Sequence, residues 1–167
     1  QYAPVDLVAV CDLDQAKAQW CARQYGAHRT YTDYRDMLAR EQPEVAFVCL
    51  NYDDAGRPRY PRVAMDILRA GAHAWIEKPP AGASSEVEEM MAVSHDTGQW
   101  VGVGFKKMFF PANRKAKDLM QEASFGTLAS ITARYPQPLP PCAERCAPKK
   151  MLGFLDHIVH PHSVLRY

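Results

Sequence analysis

Residues 72–79 read Ala72-His73-Ala74-Trp75-Ile76-Glu77-Lys78-Pro79, and this short apolar run decides the fold. Gly71 precedes it and Pro79-Pro80 close it, so residues 72–77 are a strand that two prolines terminate. A helical pattern leads in over residues 60–70, where Val63, Ala64, Ile67 and Leu68 share one face and Gly71 stops the helix. On the far side Ser84 or Ser85 caps a helix over residues 86–97, and residues 100–105 form the next strand. Upstream, residues 45–50 make a buried strand, preceded by Pro43 and an amphipathic stretch over residues 34–40. The run from Val5 to Cys11 is a fully buried strand ending on Asp12, and Asp14 caps a helix through about Gly26. Strand and helix alternate with short joins, which predicts an α/β chain with a doubly wound parallel sheet and right-handed crossovers.

The pattern changes at Pro111. A helix over residues 112–122, rich in Lys and Arg, leads through Gly126 to an expected strand over residues 128–135. A proline-rich loop follows, and a helical stretch covers residues 153–167, where Pro161 is expected to kink or break it. Residues 1–110 are therefore assigned to a cofactor-binding domain, and residues 111–167 to the start of a second, α+β domain.

Composition narrows the function. Twenty Lys and Arg against 19 Asp and Glu give a formal charge of +1, without the basic block that nucleic-acid binding requires. No apolar run approaches the roughly 18 residues of a membrane span, so the expectation is a soluble cytoplasmic protein. The cysteines, Cys11, Cys21, Cys49, Cys142 and Cys146, are odd in number and argue against a disulfide framework. Cys142 and Cys146, with His157, His160 and His162 downstream, suggest a zinc site only weakly, because the spacing is not that of a structural zinc ligand pair. No metal is expected.

Three groups of residues carry candidate chemistry. Asp12 stands at the carboxyl end of a buried strand, where an acid in a dinucleotide-binding fold accepts hydrogen bonds from the ribose hydroxyls; as an isolated feature it reads equally well as a turn or capping residue. The Gly-rich phosphate loop belongs about 20 residues before that acid, which places it ahead of Gln1, and Gly102 and Gly104 come too late to serve. Glu77-Lys78 follows a parallel strand at the edge where ligands bind, and a lysine there can hold an alkoxide as it forms, although spacing alone favours a solvated surface lysine. Asp156 and His160 are four residues apart in a helical stretch and share a face, so the carboxylate can orient the imidazole as a general base.

Taken in order, Val5 to Asp14, Tyr31-Thr32-Asp33-Tyr34, Ala70 to Pro79, and Gly153-Phe154-Leu155-Asp156 with His160 resemble the Gfo/Idh/MocA oxidoreductases over nearly the whole chain. The resemblance implies a Rossmann-like domain lacking its first strand and Gly-rich loop, followed by the start of a substrate domain, in a chain cut at both ends. It implies NAD, with NADP less favoured, and a sugar, inositol or related polyol as substrate. It makes Lys78 the lysine shared by substrate and cofactor, Asp156 the orienting or substrate-binding carboxylate and His160 the acid/base. Asp12, Asn51, Glu77 and Lys78 become the cofactor-side residues, and self-association is expected of the full-length protein. A redox-neutral NAD-using glycosidase and a catalytically silent dinucleotide-binding scaffold are the alternatives. One local departure stands out. Family members usually carry Thr-Pro, followed shortly by His, where this chain has Asn51-Tyr52, a longer loop over residues 53–59, and Tyr60.

Overall fold

The computed structural model describes residues 4–136, 138, 141 and 148–167, with side chains from residue 155 onward in the last segment. Strand β1 (Ala9–Cys11) leads through α1 (Gln15–Tyr25) to β2 (Arg29–Tyr31), α2 (Tyr34–Glu41), β3 (Val45–Val48), α3 (Tyr60–Arg69), β4 (His73–Ile76), α4 (Ser84–Thr97) and β5 (Val101–Val103). After a 3-10 turn at Lys106–Phe109 come α5 (Pro111–Gln121) and α6 (Pro148–Arg166). All strand pairings are parallel. They form two sheets, β1–β2 and β3–β4–β5.

The helices begin and end where side-chain chemistry places them. Asp14 accepts hydrogen bonds from Ala16 N and Lys17 N at the start of α1, and Gly26 closes that helix with φ 77°. At α4 the cap differs from expectation. Ser84 and Ser85 lie inside the helix, and the Glu86 carboxylate reaches back to Gly82 N and Ala83 N at 2.8 and 3.0 Å, the reach-back half of a capping box, which satisfies backbone donors at the helix entry.

The core lies between β3–β4–β5 and the pair α3 and α4. Tyr60, Ala64, Ile67 and Leu68 form one stripe of α3 at helical spacing, and they meet Ala46, Val48, Ala74 and Ile76 from the sheet. Leu68 and Ile76 are wholly buried. Strand β3 was expected to be buried, but β3 and β4 alternate. Phe47 is 70% exposed and Trp75 40%, with ring centroids 6.3 Å apart on the face away from the helices. No element covers that face among the described residues.

Other elements also depart from the sequence reading. The strand expected over residues 5–11 is paired only at Ala9–Cys11, because β2 offers it three residues, and Val5 is exposed. Strand β2 itself is a strand that periodicity missed: at three residues it is too short for alternation to show. The segment 128–135 forms no strand, and no neighbouring strand stands beside it among the described residues. Helix α6 runs through Pro161 without a break. Proline removes one backbone donor, and bonds beyond it such as Tyr167 N to Ser163 O remain.

Glu41 ties α2 to β2 by accepting hydrogen bonds from the Arg29 guanidinium and the Tyr31 hydroxyl. Chiefly through Arg29, and then Tyr31, its carboxyl is lowered to about 2 from an ordinary 4.5. The folded pKa lies below the unfolded one, so this tie contributes stability above about pH 4.5 and loses it as pH falls toward 2. The Glu41→Gln variant should therefore show a shallower fall in melting temperature across that interval than the parent, which thermal melts at closely spaced pH values measure.

Candidate active site

Beyond Ile76 the chain leaves the carboxyl end of β4 through Glu77 and Lys78, and the Lys78–Pro79 peptide is cis. The Lys78 side chain crosses to α6. Its Nζ donates to Asp156 Oδ1 at 2.6 Å and lies 3.5 Å from the Asp156 carbonyl oxygen. Both side chains are mostly shielded, at 18% and 27% exposure. The same Oδ1 accepts a second hydrogen bond, from the Tyr52 hydroxyl at 3.2 Å. One carboxylate oxygen thus receives donors from two strand-end loops, 104 and 78 residues away in sequence.

His160 lies one turn along α6 and is buried at 5% exposure. The expected bond between Asp156 and His160 is not made. The carboxylate turns instead toward Lys78 and Tyr52, and His160 Nδ1 has no hydrogen-bond partner among the described residues. The helical spacing does put both groups on one face, but the lysine offers the carboxylate a charged donor that a neutral imidazole cannot match. The Tyr135 ring lies 6.3 Å from the His160 ring, and Lys107 contacts the Tyr135 hydroxyl while its ammonium sits 4.0 Å from that ring's centroid.

Burial, followed by the positive charges of Lys107 and Lys78, pushes the His160 pKa below its ordinary 6.5, with Lys106 adding to the shift and Asp156 opposing it. The imidazole is therefore neutral at pH 7, the form that accepts a proton. His157 and His162 are exposed.

The other candidate residues lie at carboxyl ends of parallel strands. Asp12 follows β1, is exposed, and accepts Asp14 N on Oδ1 at 2.8 Å; part of its role is therefore the turn that leads into α1. Asn51 is exposed beyond the end of β3. The Glu77 carboxylate lies against Gly104, where an added Cβ would meet both carboxyl oxygens at 3.2 Å, so glycine keeps open the space that the acid occupies. Of the named residues, Lys78 and Asp156 are in direct contact and His160 shares their helix face. Glu77 Oε2 accepts only the Lys78 backbone N–H, at 3.3 Å, and among the described residues Asp12 and Asn51 make no hydrogen bond to that cluster.

Tyr52, Lys107 and Tyr135 were not singled out as functional residues in the sequence. Tyr52 and Lys107 follow strand ends, so the rule that ligands bind at carboxyl ends of parallel strands was the signal available for both. Nothing local marks Tyr135. Among the described residues no group of three or more His, Cys, Asp or Glu is placed to hold a metal ion, and no helix is long and apolar enough to cross a membrane. Cys142 and Cys146 lie outside the described residues.

Residues 2–105 match the model of an oxidoreductase family with an NAD-binding Rossmann fold, the GFO_IDH_MocA family. The chain belongs to the Gfo/Idh/MocA oxidoreductases. It is 30% identical over 130 residues to D-glucoside 3-dehydrogenase of Escherichia coli K12, an alignment that covers 78% of this chain and 36% of that protein. Among solved structures it is similar to myo-inositol 2-dehydrogenase from Lactobacillus plantarum, with TM-score 0.62 and 29% identity over 73% of this chain and 35% of that one. A probable dehydrogenase from Thermotoga maritima shares the fold over 96% of this chain and 47% of its own, at TM-score 0.76 and 21% identity. The chain therefore spans between about a third and a half of the relatives it matches.

Within the Rossmann fold the strand order 3-2-1-4-5-6 places the first strand at the centre of the sheet. In that order one further parallel strand falls between β1 and β3, the two strands that are not paired to each other in this structure.

Proposed function

We propose that the full-length protein is an NAD-dependent oxidoreductase that transfers hydride between the nicotinamide and a hydroxyl-bearing carbon of a sugar, inositol or related polyol. The observation that carries this reading is the meeting of Lys78 with Asp156 at 2.6 Å on the helix face that also holds a neutral, buried His160. Residues 1–110 form the cofactor-binding part in this reading and residues 111–167 begin the substrate domain. Asp12, Asn51 and Glu77 sit at the edge where a dinucleotide lies in such sheets, and the exposed Asp12 carboxylate has an oxygen that is not engaged by Asp14. These features fit a nicotinamide cofactor, which when bound supplies the hydride acceptor.

The chain's own residues do the rest. His160 takes the proton from the substrate hydroxyl, through a ring that has a buried nitrogen without a partner among the described residues. Lys78 donates to the same oxygen and stabilises the negative charge that develops on it. Asp156 holds the ammonium in place.

Incubating the full-length protein with NAD and a panel of inositols, hexoses and their glycosides, and following the absorbance of reduced cofactor, tests the proposal. Reduction of NAD by at least one polyol is expected; binding of NAD without reduction by any of them would favour the silent scaffold. The resting spectrum of the cofactor during turnover of a glycoside would instead favour the redox-neutral enzyme.

The cofactor preference follows from Asp12. A free ribose diol can hydrogen-bond to its carboxylate, whereas a 2′-phosphate meets like charge. NAD should bind about tenfold more tightly than NADP, a difference of about 1.4 kcal/mol, and Asp12→Ser should narrow the ratio. Fluorescence titration with both reduced cofactors measures it. Tighter binding of NADPH by the parent protein would take Asp12 out of this role.

A further inference from the structure

The geometry points to Tyr52 as a positioning residue of the active site, a hydroxyl that fixes the Asp156 carboxylate between itself and Lys78. This inference rests on the proposed function and adds to its machinery a residue that the family pattern does not supply. The usual Thr-Pro is replaced here by Asn51-Tyr52.

The loop that carries Tyr52 is anchored on both sides. On the strand side the buried Tyr60 hydroxyl donates to Leu50 O at 3.0 Å and receives Leu50 N at 3.4 Å. On the other side Asp53 N donates to Arg57 O at 2.8 Å, Gly56 N to Asp53 O at 2.9 Å, and Arg57 N to Asp53 Oδ1 at 2.7 Å. Tyr52 is thus held between two closed turns rather than on a free loop, and its half-buried ring carries the hydroxyl to Asp156. Burial, and then the negative charge of Asp156, raise the phenol well above its ordinary 10. It stays protonated and therefore stays a donor.

The chemical consequence lies in the division of labour at Asp156. With two donors on Oδ1, the carboxylate is pinned in one rotamer and aims Lys78 from a fixed base. A lysine has four rotatable bonds and no directional preference of its own, so the precision of its ammonium depends on the anion that holds it. The Tyr52 hydrogen bond also draws charge from that anion and so weakens its pull on a proton at His160. The groups that face His160 are Lys107, Lys78 and Lys106, which oppose protonation, Asp156, which favours it, and the neutral Tyr135 ring. Removing the Tyr52 hydroxyl strengthens the one group that favours it.

The test uses the full-length protein with NAD and whichever polyol of the panel supports turnover. Tyr52→Phe should lower kcat about five- to tenfold, leave the KM for NAD unchanged, and move the acid side of the kcat profile to higher pH. Tyr60→Phe, which loosens the same loop without touching Asp156, should lower the melting temperature and leave the acid side of the profile in place. An unshifted profile and unchanged kcat in Tyr52→Phe, with Asp156→Asn strongly impaired, would overturn the role of Tyr52 and leave the proposed site standing. Full activity in Asp156→Asn would overturn both, since Tyr52 would then position a group the reaction does not use. Equal acid shifts in the Tyr52 and Tyr60 variants would reduce Tyr52 to a structural residue and equally reject the inference.

Discussion

Replacing His160 with Gln lowers turnover of a hydroxyl substrate by roughly a hundredfold or more, the range for loss of a general base, while the Kd for NAD changes little. The expectation rests on two features of the imidazole. Burial and the ammonium groups of Lys107 and Lys78 keep it neutral at pH 7, and its Nδ1 is a buried atom with no partner among the described residues, a position that a substrate hydroxyl can satisfy. Glutamine keeps a polar group of similar length but cannot accept the proton. Because the folded pKa is lowered, the parent enzyme should retain turnover as pH falls through the ordinary histidine range near 6.5 and lose it only below. Steady-state kinetics at saturating substrate from acid to alkaline pH measure both effects. His157→Gln serves as the comparison: it is exposed and about 100° around the helix from Asp156, so its rate should stay near the parent's. Near-normal turnover in His160→Gln would pass the acid/base role to another group, Lys78 first.

The second large effect belongs to Lys78. Lys78→Met should reduce kcat about a hundred- to a thousandfold, as removal of a donor aimed at a developing oxyanion does. The stability loss should be small beside the rate effect, because Tyr52 continues to donate to the carboxylate that Lys78 leaves. A large rate effect beside a small shift in melting temperature separates a chemical role from a structural one. Lys78→Arg should rescue poorly, since a planar fork cannot replace a compact ammonium 2.6 Å from a single carboxylate oxygen. Retention of most of the parent's kcat by the Met variant would show that the lysine is only a bridge between β4 and α6.

The parallel α/β pattern was legible because its elements carry strong local signals. Asp14 and Gly26 bracket α1, Gly71 with φ 86° separates α3 from β4, and the residues at helical spacing in α3 are the ones the core buries. Periodicity did not reveal what depends on distant partners. Val45–Val48 reads as a buried strand, yet its outward face, like that of His73–Ile76, is open here because whether a face is covered depends on what packs there. Residues 128–135 have the composition of a strand but no neighbour to pair with among those described. In the site, strand-end position and helical spacing marked Lys78, Asp156 and His160 as candidates and the family resemblance gave them roles, but spacing could not decide the partner of Asp156. That choice was made by Lys78 and Tyr52, 78 and 104 residues away, and a tyrosine after a strand has no spacing signature to announce it.

The central claim is that Lys78 and His160 act on one hydroxyl. The most direct measurement is a crystal structure of the full-length protein with NADH and the polyol that supports turnover. The account predicts one substrate oxygen within hydrogen-bond reach, about 2.6–3.2 Å, of both Lys78 Nζ and a ring nitrogen of His160, with Lys78 still bound to Asp156. A substrate oxygen held by Lys78 while the His160 ring stays packed away from it, or a polyol bound elsewhere in the protein, would contradict the account.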